Sequence, residues 1–264
     1  MNMKDKNVLG GILASIAALM GIIGHFVIFL NWYQISQHLK SAEPGCEILL
    51  KYIFPIMTDF GILGGVLFAV SAYGFFTKKN WAFFLSVVAV VLALLGSWFI
   101  NVPFLAAGEP PIYFLLFWPY LLLWFLFLRL VGKVSWSVTL VSLVTGVAYI
   151  FCWMNGVAST SRMVTIGTPI FTLVERLHWV AMIGWAVVTV GIVMKSKEWM
   201  RVIGVTAATT ELVVGIPLTI ATGEQLGRFS LFALGPIACL GLLVILVWPG
   251  LWQRWTRMEA EPQA

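Results

Sequence analysis

Eight separate stretches of about twenty predominantly apolar residues run through this chain, and that is the length an α-helix needs to cross the ~30 Å hydrocarbon core of a bilayer. They lie near 8–30, 53–77, 81–100, 112–130, 134–154, 169–194, 200–221 and 229–252. A backbone in lipid must satisfy its own N–H and C=O groups, which leaves helices and closed barrels as the spanning structures. The alternating apolar and polar segments of a membrane barrel are missing from the sequence. The pattern therefore predicts an all-α, polytopic integral membrane protein with eight transmembrane helices. Composition agrees, because only 10% of the 264 residues are charged, against about 25% in a soluble domain. Three cysteines are too few for a disulfide framework. The apolar run after Lys4 and Lys6 continues to Leu30 with no small-residue cleavage site after a short core, which reads as a retained first helix.

The basic residues orient the spans. With the N-terminus inside, the inner segments hold eleven: Lys4, Lys6, Lys78, Lys79, Arg129, Lys133, Lys195, Lys197, Arg201, Arg254 and Arg257. The outer segments hold five, namely Lys40, Lys51, Arg162, Arg176 and Arg228. This positive-inside bias predicts a multi-pass plasma or inner membrane protein with both termini cytoplasmic. The net charge of +5 thus reflects topology. No basic stripe of the kind that binds nucleic acid occurs in the sequence. Trp32, Trp98 and Trp153 fall at predicted outer ends, as headgroup-seeking indoles do, whereas Trp118, Trp124, Trp179 and Trp185 read as packing side chains.

An internal echo suggests duplication. Laying residues 101–117 on 215–232 matches Ala106 to Ala221, Gly108 to Gly223, Glu109 to Glu224, Phe114 to Phe229, Leu116 to Leu231 and Phe117 to Phe232. FPIMT at 54–58 likewise echoes TPIFT at 168–172. The reading is one membrane domain over 1–264 with tandem halves 1–133 and 134–264, four helices each and in parallel orientation.

Ionisable groups within spans cost about 2.5–3.5 kcal/mol each at a helix centre and need partners. Six stand out: His25, Asp59, Glu175, Arg176, His178 and Glu211. At a rise of about 1.5 Å per residue, His25, Asp59 and Glu175 fall about 9 Å below the predicted outer ends and His178 about 13 Å below, with Glu211 nearer the midplane. They are expected to line one polar cavity in the outer leaflet. Glu175, His178, Trp179 and Met182 share a helix face by their spacing, Arg176 points about 100° away, and Thr168 with Pro169 suits the start of that helix. Gly21 with His25, and Ala207 and Gly215 with Glu211, form small-residue faces that admit a neighbouring helix. Three carboxylates face one arginine, so after one pairing two must be protonated, bonded to histidine, or bound to a cation or basic ligand.

The function these residues suggest is binding or transport of a small solute or proton, with the lipid bilayer as surroundings and membership of an oligomer or complex compatible with it. The alternatives are a structural or accessory subunit, haem- or quinone-associated through His25 and His178, and an intramembrane metal-dependent enzyme. The balance leans away from an enzyme. No HxxxH, HExxH, Walker A or GxSxG pattern occurs, no late span holds a retinal-type lysine, and the sequence specifies no cofactor.

Overall fold

The computed structural model describes residues 3–40, 45–194 and 199–256, and among these every regular element is helical. Seven helices are long and apolar enough to cross a membrane: α1 (Asp5–His38), α2 (Cys46–Phe76), α3 (Ala82–Ala106), α4 (Phe114–Val131), α5 (Trp136–Thr165), α6 (Pro169–Val193) and α7 (Trp199–Leu226). The shorter apolar α8 spans Leu231–Val247, and a terminal helix, α9, covers Pro249–Thr256. Lys195, Lys197 and Arg257, assigned to the inner side by the charge pattern, lie outside the described residues.

The helices run longer than the hydropathy windows. The outer segment 31–52 suits a short helix or a surface loop by sequence, and α1 continues into it to His38 while α2 begins at Cys46. Likewise α5 continues past residue 154 to Thr165. A hydropathy window loses a helix where polar residues enter it, whereas the backbone hydrogen bonds continue as long as no breaker intervenes.

The chain divides into two compact units, Met1–Val134 and Ser135–Ala264. In the first, α1 packs on α2, α2 on α3 and α3 on α4. Small residues set the approach: a Cβ on Gly21 would lie 2.5 Å from the Gly65 Cα, and one on Gly96 would lie 2.6 Å from the Gly61 N. These contacts bring α1 and α3 backbone to backbone against α2, the close packing that replaces a hydrophobic driving force in lipid. Gly21 sits in a π-helical turn, Met20–Gly24, immediately before His25. Asn101 ties α3 to the start of α4, its Oδ1 accepting the Tyr113 N–H at 3.0 Å.

In the second unit α5 packs on α6, α6 on α7, α7 on α8 and α8 back on α5. Ser135 caps α5, accepting the Val138 N–H at 3.5 Å. Thr168 and Pro169 do occupy the N-cap and first position of α6, but the Thr168 hydroxyl makes no cap bond. It accepts instead from the Gln225 side chain of α7 at 3.1 Å. A Cβ on Gly184 would meet that of Ala207 at 2.8 Å, and one on Gly215 would meet Pro236 at 2.6 Å, so α7 is seated closely on both neighbours. Trp124 and Trp185 are buried in the packing as their positions suggest, whereas Trp118 is exposed. Trp153, expected at an outer helix end, is buried as well.

Candidate functional site

Four helices of the second unit meet around one carboxylate. Glu211, midway along α7, is fully buried, as are His178 on α6 and Asn155 on α5. His178 Nδ1 lies 2.8 Å from Glu211 Oε2, and Asn155 Nδ2 donates to Glu211 Oε1 at 2.6 Å. The second amide proton goes to the Phe232 carbonyl at 3.1 Å, at the start of α8. Both donors of the Asn155 amide are thereby used, which fixes its orientation and leaves Oδ1 as an acceptor. Room for the carboxylate comes from glycines: a Cβ on Gly215 would lie 2.8 Å from Glu211 Oε1 and one on Gly235 would lie 2.7 Å from it.

One proton is shared between His178 Nδ1 and Glu211 Oε2. With the carboxylate ionised and the ring neutral, that proton sits on Nδ1 and His178 Nε2 carries a lone pair. His178 Nε2 and Asn155 Oδ1 are both buried without a hydrogen-bond partner. Buried polar atoms are nearly always paired, so two unmet acceptors beside one hydrogen-bonded imidazole–carboxylate pair distinguish this place from ordinary packing. What would satisfy them is a proton or a donor-bearing group.

Glu175 stands one turn before His178 on α6, half-buried. It accepts from the Trp179 indole at 2.6 Å and lies 3.0 Å from Thr160 Oγ1 on α5. Trp179 in turn meets Trp153 edge-on, with centroids 4.7 Å apart and planes at 87°. The shared face of Glu175 and Trp179 expected from their spacing is thus used within the helix. Arg176 is exposed and pairs with neither Glu175 nor Glu211. The place beside a buried carboxylate expected of it is taken by His178, because a residue about 100° round the helix from Glu175 points away from the packed interior.

The first unit holds His25 and Asp59. His25 is fully buried, and its Nδ1 donates to the Gly21 carbonyl one turn back at 3.0 Å. That bond requires the proton on Nδ1 and leaves Nε2, which has no partner, as an acceptor. The ring fills the space left by Gly61, where a Cβ would come within 1.9 Å of Nε2. Tyr113 and Tyr120 flank it, with centroids 5.4 Å and 6.1 Å away. Thr58 donates to the Phe54 carbonyl at 3.0 Å and accepts from the Tyr113 hydroxyl at 2.8 Å. Asp59, the next residue, is exposed and takes no part in this cluster.

Of the six expected residues, the structure therefore joins His178 to Glu211, sets Glu175 beside them on α6, and buries His25 in its own unit. Asn155, Thr58, Tyr113 and Tyr120 escaped the sequence reading. Asn155 lay one residue beyond the predicted span 134–154, so it counted as loop; a lone amide inside an apolar helix would have been the signal. Among the described residues no three His, Cys, Asp or Glu side chains gather as a metal-ligand group. All three cysteines are buried free thiols. Compared with protein-family models, curated proteins and solved structures, the chain matches none.

Proposed function

We propose that this chain is an eight-span membrane protein of two tandem four-helix halves, with both termini cytoplasmic, that takes up a proton or a small donor-bearing solute at Glu211 and His178. The observation that carries the reading is the buried Glu211–His178–Asn155 cluster, which leaves Asn155 Oδ1 and His178 Nε2 without partners, the latter an acceptor when the ring is neutral with its proton on Nδ1. An ion pair buried only to hold helices together gains little over an apolar core, and intramembrane ionisable groups by default mark a site. A proton arriving at His178 Nε2 makes an imidazolium already paired with Glu211, so uptake proceeds without moving a helix. Glu175 and Trp179, one turn away, would border the approach. Transport in addition requires alternating access, since the inner parts of the spans offer few ionisable groups.

The test is purified protein in proteoliposomes with a pH-sensitive dye, comparing wild type with Glu211→Gln and His178→Gln. Proton- or solute-linked uptake lost in both variants supports the reading. Normal folding with no uptake or protonation signal in any condition makes the cluster a packing lock, and the protein an accessory subunit.

A further inference from the structure

Asp59 and Arg176 place opposite charges on the outward faces of α2 and α6. On α2 the exposed residues Tyr52, Ile56, Asp59, Leu63, Val66 and Val70 recur at alternating spacings of four and three. On α6 Leu173, Arg176, Val180, Ile183 and Val187 do the same. Such a repeat suits the seam of a left-handed helix pair, in which a polar residue sets register. The two charges also stand equally far from the C-terminal ends of their helices. Asp59 lies seventeen residues before Phe76, where α2 ends, and Arg176 seventeen before Val193, where α6 ends. At about 1.5 Å per residue both charges stand about 26 Å from those ends.

We propose that the α2 seam around Asp59 docks on the α6 seam around Arg176 of a second copy of this chain. Charge complementarity selects that occupant: the carboxylate, too short to reach headgroups from within lipid, meets a guanidinium at its own level, with apolar residues in matching steps on either side. A lipid face alone accounts for the apolar positions but not for an acid among them. The contact rests on the eight-span reading, which runs α2 and α6 in the same direction.

Two differently tagged copies, one Asp59→Cys and the other Arg176→Cys, are co-expressed and oxidised in the membrane. A disulfide joining the two tags is expected, and absent when Leu122→Cys on α4 replaces either partner. In charge reversals, Asp59→Arg and Arg176→Asp alone each lower cross-tag recovery about tenfold, and the two together in each copy restore it. No cross-tag disulfide, or no rescue, overturns the pairing and leaves the charges facing lipid or another part of the same chain. Impermeant labelling of Thr77→Cys and Met194→Cys tests the shared direction by itself. Labelling from opposite faces overturns the topology and the contact with it; labelling from one face without a cross-tag species overturns the contact alone.

Discussion

Gly235→Ala tests whether the cluster around Glu211 is held as tightly as its distances imply. The added methyl would lie 2.6 Å from Asn155 Nδ2 and 2.7 Å from Glu211 Oε1, against an ordinary contact of 3.4 Å or more. Both polar atoms must therefore retreat by about 0.7 Å, and they bond to each other at 2.6 Å. The Asn155 amide cannot withdraw freely, because its other proton is held by the Phe232 carbonyl at 3.1 Å. Losing a hydrogen bond to a charged group costs about 1.5–3 kcal/mol, and overpacking adds about 1–3 kcal/mol. Alanine returns about 1 kcal/mol of helix propensity, so the net destabilisation is about 1.5–5 kcal/mol. Reversible unfolding in mixed micelles measures it. Gly241→Ala on the same helix is the control: nothing lies within 4 Å of its Cβ, so it should be neutral or slightly stabilising. Asn155→Ala removes the clashing group, so in the double variant the two costs should fall short of their sum by at least about 1.5 kcal/mol. Additivity within about 0.5 kcal/mol would refute the argument, since the methyl would then not be displacing that amide.

Gly61→Ala should cost about 2–4 kcal/mol in the same assay, because the methyl would fall 1.9 Å from His25 Nε2. A His25→Ala change made in that background should recover part of the loss. Gly21→Ala drives a methyl to 2.5 Å from the Gly65 backbone, which cannot rotate aside; a loss of at least about 3 kcal/mol is expected, and a neutral result would place α1 and α2 farther apart. Thr58→Val strips the Tyr113 hydroxyl of its acceptor at 2.8 Å and should cost about 1–3 kcal/mol. Glu175→Leu removes the acceptor 2.6 Å from the Trp179 indole, so tryptophan emission should shift while Glu175→Gln, which keeps an acceptor, shifts it less.

Hydropathy made the helices legible because burial in lipid demands apolar residues on every face, a constraint each residue reports by itself. Their ends were less so: α1 reaches His38 and α5 reaches Thr165 through polar residues that hydropathy counts as loop. At the site, His178 and Glu211 were visible as costly groups, and the glycine at Gly215 as the space beside one of them. Their pairing was not visible, because it depends on how α6 and α7 are rotated about their axes. Arg176 shows the limit most clearly. Charge arithmetic nominated it as the counter-ion, but one residue of helical phase carries it to the exposed face.

Helical phase also separates the two halves of the proposed duplication. Placing Pro55 on Pro169 sets Gly61 against Glu175 and Gly64 against His178. Where α6 carries side chains that bond, α2 carries glycines, and the space at Gly61 is filled by an imidazole from α1. Each unit thus buries one histidine with an unpartnered Nε2, but the two rings are held differently. His25 is tied to a backbone carbonyl of its own helix, which cannot ionise, whereas His178 is tied to a carboxylate from another helix. Protonating His25 would strand a cation beside two tyrosines, while protonating His178 completes an ion pair. On the proposed function the proton-accepting chemistry belongs to the second half, and His25→Gln should leave proton uptake in liposomes intact where His178→Gln abolishes it. Loss of uptake in both would mean that the two histidines serve a single path.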